Sequence, residues 1–464
     1  MKNLTIIFLT ISALICALYG ACGLYTRHNI GVALANLKAQ QGEVVEYELE
    51  GGIFRSRLQL RYKLPGQYYG SESQDATLVV KQVIGHGPLV WQGQGRQPRL
   101  LRAQGWGQAR VISGAGSKWP QPLRELLTAD LRLKVPLTGV GGKVQMRSPP
   151  RNVVMDWGDG EMMVAWQGMK LDLFFPGNTL LAYDLNLRAP ELLIQKGEDN
   201  EMTLRGFVVD GIMAEGEHGL SLGEVNFGLE ELDVSMADQN ATITGLHSLL
   251  TTREEGGLVS MAKKFRLAGL SWGESSYEDV EINLAISNIA AQPLAQLAMG
   301  LGGLDNRPAQ EEASGDTLLT LLQGHSMGLL SGSPRLAVDD ISVTTSAGRI
   351  HLNGGVQFDG EGGVLFNPFF LLGRLSAHLF FEAEGGALQQ LLKEGIKQRD
   401  CKDPTSRACE RKAGKMARAR VKALVKAGTL DKAGKSYTYS FSFDEGQIKV
   451  NGRPQPLSLV SWGL

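Results

Sequence analysis

Alternation of hydrophobic and polar residues, interrupted by short polar turns, recurs along the chain. Successive side chains of a strand point to opposite faces of a sheet, so two alternating runs around a turn predict a β-hairpin. The clearest examples are Glu191–Gly211, Glu231–Leu249, Asp340–Gly360 and Tyr437–Gly452, each with turn-forming residues at its tip. Their spacing is irregular, which indicates a meander rather than a strict repeat. The pattern therefore predicts a mainly β, antiparallel fold.

Two stretches, Gln292–Gly332 and Ala387–Ala427, have helical periodicity instead. The second, extended to Lys435, holds fourteen Lys or Arg against five Asp or Glu. It is either a solvated basic hairpin or a surface for an anionic partner. The predicted organisation is a tip and anchor (1–27), a β body (28–290), a helical insertion (291–335), β-hairpins (336–386), a basic helical hairpin (387–435) and a C-terminal hairpin with a tail (436–464).

The run Leu4–Tyr25 is apolar and uncharged. About 20 apolar residues span a bilayer, and this run is longer than the apolar core of a cleaved signal peptide. We therefore expect residues 4–25 to anchor the chain in a lipid bilayer, with Lys2 inside and the body exported. The alternative is a lipoprotein signal that ends at Cys22.

Composition restricts the class of partner. The net charge is −1, so no whole-chain field would steer the protein to nucleic acid, and we expect no nucleic-acid partner. The 58 glycines exceed the usual share of about 7% and favour short strands and tight turns over long helices.

Cys401 and Cys409 are the two cysteines outside the apolar run. In an oxidising compartment they can close a small disulfide loop, and free thiols are the alternative. A metal site needs further ligands, and no His lies between residues 379 and 464. We expect no metal and no cofactor.

Residues 44–62, VVEYELEGGIFRSRLQLRY, place acids before a Gly-Gly pair and arginines after it. A two-residue turn at Gly51-Gly52 would pair Glu48 with Arg55 and Glu46 with Arg57. The apolar side of this hairpin would consist of Phe54, Leu58, Leu60 and Tyr62. A continuous strand with a bulge at the glycines is the alternative.

Ser326 lies in Gly324–Gly328, which has the Gly-x-Ser-x-Gly form of a hydrolase elbow. Asp339 or Asp340 and then His351 follow in the chain order of a catalytic triad. An elbow needs a buried strand before the Ser and a helix after it, in a parallel sheet, whereas the flanks here are antiparallel-type hairpins. We therefore do not expect the protein to be an enzyme; a serine hydrolase that uses Ser326 is the alternative.

Three short motifs carry a family resemblance. The segment 52–56 resembles the Gly-x-Phe-x-Ser segment of the YdgA-like proteins of Gram-negative envelopes, which carry a His-Gly-Pro further on and a Gly-Gln-Ile-x-x-Asn-Gly hairpin near the end. The matching positions are Gly52, Phe54, Ser56, His86, Gly87, Pro88, Gly446, Asn451 and Gly452. The resemblance implies a single-pass protein of the bacterial inner membrane with a periplasmic body, unassigned function and no catalytic residues to carry over.

A more distant likeness, at the level of an anchor plus a β-rich body, is to the AsmA-like proteins, which are implicated in lipid movement across the envelope. We expect a long, strongly curved antiparallel sheet behind the transmembrane helix, with inserted helical segments packed against or closing one side. Its concave apolar face would bind a lipid or another amphiphile. The expected role is non-enzymatic, with other envelope proteins as further partners; a lipoprotein scaffold is the alternative.

Overall fold

The computed structural model describes residues 45–304, 327–360, 373–400 and 406–455, with a few positions between 21 and 31 and with gaps at 53, 65–75, 88, 91–98, 114–124, 126–127, 137–140, 158–159, 178–180, 198, 237–238 and 274. The chain divides into two units. Unit 1 comprises Met1–Val225 and Leu297–Leu321, and unit 2 comprises Asn226–Gln296 and Leu322–Leu464. Both are built on antiparallel strands, so the predicted mainly β, antiparallel class is confirmed.

Twelve strands lie wholly within the described part of unit 1: β1 (Val45–Gly51), β2 (Arg55–Leu64), β3 (Ala76–His86), β4 (Leu89–Val90), β5 (Arg99–Ser113), β6 (Thr128–Pro136), β7 (Gly142–Ser148), β8 (Arg151–Trp157), β9 (Gly160–Trp166), β10 (Met169–Phe175), β11 (Tyr183–Lys196) and β12 (Asn200–Glu215). Pairing runs β1-β2-β3-β5-β6-β7-β10-β11-β12, with β4 on β5.

The sheet of unit 1 branches at β11. Its first half pairs with β10, from Asp184 to Arg188, and its second half pairs with β9, from Leu192 to Lys196. Pro190 lies between the two halves and has no backbone N–H to donate to a neighbouring strand. The change from β10 to β9 therefore occurs at a residue that cannot donate a backbone hydrogen bond. The β8–β9 hairpin is thereby added beside β11.

Unit 2 is also an antiparallel meander. Its strands are β14 (Gln239–Glu255), β15 (Leu258–Trp272), β16 (Ser275–Ala290), β17 (Arg335–Thr345), β18 (Gly348–Phe358), β19 (Leu375–Glu384), β20 (Asp431–Ala433), β21 (Ser436–Asp444), β22 (Gln447–Val450) and β23 (Arg453–Gln455). They pair in the order β14-β15-β16-β17-β18-β19-β21, and β20 and β22 both join the far side of β21. Strand β13 (Ser221–Met236) crosses the boundary between the units.

Three long helices interrupt the strands of the described chain: α1 (Ala291–Leu304), α2 (Gly385–Asp400) and α3 (Arg407–Lys426). Helices α2 and α3 form a hairpin within the second stretch of helical periodicity. Its core joins Ala383, Leu388, Val421 and Leu430. Small residues let the two helices approach closely, because Ala413 and Ala417 pack against Ile396.

The predicted hairpins pair as expected where their registers are defined. Lys196 faces Asn200, Thr345 faces Gly348, and Asp444 faces Gln447. The turn residues Glu445 and Gly446 both have positive φ, of 47° and 76°. This is the geometry of a type I′ turn, whose twist matches that of the flanking strands.

The stretch around Gly51-Gly52 is a hairpin and not a bulged strand, but the predicted register is wrong. Glu50 faces Arg57, Glu48 faces Gln59 and Leu49 faces Leu58. The turn is wider than two residues because the N–H of Gly52 donates to the carbonyl of Arg55 at 2.8 Å. A Cβ at Gly52 would lie 2.8 Å from that carbonyl oxygen, so the turn requires glycine.

One further expectation for this hairpin is corrected. Phe54 lies in the turn with 51% of its surface exposed, and is not part of the apolar side. Strand β2 is an inner strand between β1 and β3. Leu58, Leu60 and Tyr62 do share one half-buried side of β2, as predicted.

No helix among the described residues is both long and apolar enough to cross a membrane. Most of residues 4–25 lie outside the described chain, so the transmembrane anchor stays a prediction.

Candidate functional site

The most extensive feature of unit 1 is an apolar surface on one side of its sheet. Residues that face each other across neighbouring strands point to the same side, so the registers define rows of side chains. The first row is Leu49, Leu58, Gln82, Gly107, Leu131, Met146, Leu171, Leu187 and Val209. The second is Gly51, Ser56, Ile84, Gly105, Leu133, Val144, Leu173, Leu185 and Gly211. We call these two rows the apolar face.

The apolar face crosses nine strands without a charged residue. Its leucines and valines are half-buried rather than fully buried. The row on the opposite side is polar over most of its length and reads Glu50, Arg57, Val83, Trp106, Arg132, Gln145, Asp172, Asn186 and Asp210. The sheet therefore has one apolar and one mainly polar side, as antiparallel sheets commonly do.

Two polar side chains, Ser56 and Gln82, are embedded in the apolar face, and Gln82 is the larger. Gln82 is 6% exposed, and its Nε2 has no hydrogen-bond partner among the described residues. The neighbouring Gly105 leaves room for it, since a Cβ there would lie 2.5 Å from that nitrogen. A buried amide without a partner is costly, so Gln82 offers a donor to a carbonyl or phosphate oxygen.

The family-motif residues Ser56 and His86 meet at one end of the apolar face. The Oγ of Ser56 lies 2.7 Å from Nε2 of His86, and both side chains are almost fully buried. The N–H of His86 donates to the carbonyl of Phe54, and that of Gly87 donates to Arg102. Gly87 has a φ of 128°, which favours glycine. These motif residues thus tie the β1–β2 turn to the end of β3; Pro88 lies outside the described residues.

The C-terminal motif, at residues 446–452, has a structural explanation of the same kind. Asn451 and Gly452 have φ values of 47° and 73°, a second type I′ turn. The Asn451 side chain accepts from the N–H of Ser440 at 2.8 Å and donates to the carbonyls of Gly428 and Thr429, each at 3.1 Å. One amide therefore holds the chain that leaves α3 against β21.

The mainly polar side of unit 1 carries a compact charge cluster around Asp172. Lys170 Nζ lies 2.8 Å and Lys143 Nζ 3.4 Å from its carboxylate oxygens, and Gln145 donates at 2.5 Å. Burial raises the pKa of Asp172, but the hydrogen bonds of Lys170 and Gln145 and the charge of Lys143 outweigh it and lower the pKa to about 2. Asp172 therefore stays ionised and serves as a cross-strand link on this side of the sheet.

The comparison with protein families decides where the chain belongs. A family model described as bacterial protein of unknown function (DUF945) matches residues 1–458. The chain belongs to the DUF945 family. No curated protein and no solved structure matches it. The three motifs at both ends of this DUF945 protein lie within the matched range, and those of their residues that the structure describes hold turns and strand ends together.

The residues suggested for a hydrolase are only partly within the described chain of this DUF945 protein. Ser326 lies outside it. Asp340 Oδ1 lies 3.1 Å from His351 Nε2, and Ser342 Oγ donates to Asp340 Oδ2 at 3.2 Å. In a triad the His stands between the Ser and the acid, whereas here the acid stands between Ser342 and His351. Both Asp340 and His351 lie on paired antiparallel strands, β17 and β18.

The cysteine prediction falls at the start of α3. Cys409 is buried and disulfide-bonded, and its N–H donates to the Oγ of Ser406, which caps the helix. Cys401 lies outside the described residues, so the Cys401–Cys409 pairing stays a prediction. Within the described chain no group of three or more His, Cys, Asp or Glu side chains could hold a metal ion.

Sequence reasoning missed two features of this protein. The first is Gln82, which looks like an ordinary polar residue of a half-exposed strand. The second is the continuity of the apolar face, which depends on the register of eight strand pairs. Its only signal was the phase of alternation within each strand, such as Leu58, Leu60 and Tyr62 in β2.

Proposed function

We propose that this DUF945 protein is a non-enzymatic, membrane-anchored protein of the bacterial inner membrane, with a periplasmic body that binds a lipid or another amphiphile. The observation that carries the proposal is the apolar face, a surface of unit 1 that crosses nine strands, seven of which contribute half-buried Leu, Val or Met side chains. Covering such side chains further is favourable by about 25 cal/mol per Å² of apolar surface.

The dimensions of the apolar face favour an acyl chain as the occupant. Nine strands about 4.8 Å apart make a row on the order of 40 Å long. An acyl chain occupies about half of a hydrocarbon core roughly 30 Å thick, so one chain fits within the row. Gln82 would supply a hydrogen-bond donor for the ester or phosphate oxygens, and the absence of charged side chains from the two rows fits an aliphatic ligand.

The apolar run at residues 4–25 supports the bilayer anchor, and the similarity of the motifs to YdgA-like proteins supports the periplasmic location. The likeness to AsmA-like proteins is an analogy at the level of architecture, and it favours the same ligand class. Other envelope proteins are proposed as partners on the same grounds.

A photo-crosslinking experiment with paired positions tests the proposal. A benzophenone amino acid placed at Leu133 or Leu187 lies on the apolar face, and the same residue at Arg132 or Arg188 lies on the opposite side of the same strand. We expect lipid-mass adducts at the two leucine positions and none at the two arginine positions. Adducts of equal yield on both sides, or their absence together with lipid-free protein in native mass spectrometry, would exclude the apolar face as a lipid site.

The non-enzymatic part of the proposal has a separate test. A serine hydrolase that uses Ser326 would react with a fluorophosphonate reagent, and a Ser326→Ala variant would lose both the labelling and any ester hydrolysis. We expect no labelling of the wild-type chain. Labelling that disappears in Ser326→Ala would establish the hydrolase instead.

A further inference from the structure

The outer face of α3 carries a straight row of cations. Six exposed Lys or Arg side chains recur at spacings of 4, 4, 3, 4 and 4 residues, which keeps them on one face of a helix. They are Arg407, Arg411, Lys415, Arg418, Lys422 and Lys426, which we call the basic row. The buried stripe of α3 runs along the opposite face and consists of Cys409, Ala413, Ala417 and Val421.

The one acid of α3, Glu410, is not available to the basic row. It forms ion pairs with two lysines of α2, with Lys393 and with Lys397 Nζ at 3.3 Å. Hydrogen bonding from Lys393 outweighs the effect of burial and lowers the pKa of Glu410, so this carboxylate stays ionised beside the two lysines. Among the described residues, no carboxylate forms an ion pair with any member of the basic row.

The basic row would destabilise α3 if this helix were isolated in water. Like charges at i, i+4 destabilise a helix, and a helix adapted only to water gains from Glu interleaved with Lys or Arg. Here the helix is held in place from its other side, by packing on α2, by the Ser406 cap and by the disulfide at Cys409. The cations of α3 are thus presented as an aligned set, about 28 Å long at 1.5 Å per residue.

We propose that the basic row docks unit 2 onto the surface of an anionic bilayer, where its six cations contact lipid phosphates. A straight row on one helix face fits a planar array of headgroups, because all six side chains reach the plane together. A folded polyanion of irregular shape would need cations on several elements. The proposal rests on α3 alone and does not depend on the apolar face.

Chemical labelling of lysines in the full chain tests the proposal. The protein is reconstituted in nanodiscs of phosphatidylcholine, alone or mixed with phosphatidylglycerol, and the acylation rate of each lysine is measured by mass spectrometry. We expect Lys415, Lys422 and Lys426 to react several-fold more slowly in the anionic discs, an effect lost at high salt. Lys263 and Lys264, exposed on β15, are internal controls whose rates stay unchanged.

Charge reversal adds a matched comparison. Arg418→Glu should reduce the protection of Lys415 and Lys422 at least about fivefold, whereas Lys264→Glu should leave it intact. Both variants must keep the wild-type unfolding temperature, because a loss of protection could otherwise result from unfolding of the helix. Equal reactivity in neutral and anionic discs would overturn the proposal. Protection by a single-stranded DNA oligonucleotide in neutral discs, without protection by anionic lipid, would assign the row to a soluble polyanion instead.

Discussion

The Oγ of Ser56 lies 2.7 Å from Nε2 of His86, and the two residues are joined by a hydrogen bond across 30 residues of chain. Ser56 is 1% exposed and His86 is 2% exposed, so water cannot readily replace the bond. Two of the family motifs therefore act together to close the end of the β1–β2–β3 sheet.

Replacing Ser56 by Ala should lower the free energy of unfolding by about 1–3 kcal/mol, because a buried imidazole nitrogen loses its partner. Chemical denaturation of the full chain measures the change. Ser260→Ala, at an exposed position of β15, should change it by less than about 0.5 kcal/mol. Equal effects of the two substitutions would show that the Ser56–His86 bond does not stabilise the fold.

Asn451 combines a positive φ with four side-chain hydrogen bonds that can be separated by substitution. Asn451→Gly keeps the backbone geometry and loses every side-chain bond, so we expect a loss of about 2–3 kcal/mol. Asn451→Asp keeps the acceptor for Ser440 but loses the donors to Gly428 and Thr429, and should be intermediate between wild type and Asn451→Gly. Urea denaturation ranks the variants; a glycine variant as stable as wild type would refute the role of the side chain.

Gly446 and Gly395 should respond in opposite directions to substitution by Ala. Gly446 has a φ of 76°, where an L-residue costs about 1 kcal/mol or more, so Gly446→Ala should destabilise the protein. Gly395 lies exposed in the interior of α2 with open space around a Cβ, so Gly395→Ala should stabilise it by roughly 0.5–1 kcal/mol. Thermal unfolding compares the two, and a shift of both in one direction would contradict this account.

Asp172 should make stability depend on pH in the acid range. Its folded pKa of about 2 lies below the usual carboxyl value, so its contribution is complete above about pH 5 and falls as the pH is lowered towards 2. Asp172→Asn should cost about 1 kcal/mol at pH 7, because the partly exposed site is screened by water. Roughly half of this difference should remain at pH 3.

Urea denaturation of wild type and Asp172→Asn at pH 7, 5 and 3 gives the difference, and Asp156→Asn, an exposed carboxylate of β8, is the control. A difference that stays constant down to pH 3, or that grows, would show that the lysines around Asp172 do not depress its pKa.

The local sequence pattern was sufficient to predict several hairpins and helices of this protein. Alternation around turn residues located the hairpins of β11–β12, β17–β18 and β21–β22, because side-chain direction and turn chemistry are both set within a few residues. The helical periodicity of α2 and α3 was equally local. The register of β1–β2 was not set locally, since the carbonyl of Phe54 in the turn accepts from the N–H of His86 on β3.

The candidate surfaces differ in the same way. The sequence by itself determined that a strand such as β2 has an apolar side and that α3 is basic, because periodicity assigns residues to faces. Only the tertiary structure decided that the apolar sides align into one surface across nine strands, since alignment depends on registers between distant segments. It also decided that Glu410 is paired with α2 and leaves the basic row without its one acid, because that choice depends on how the two helices pack.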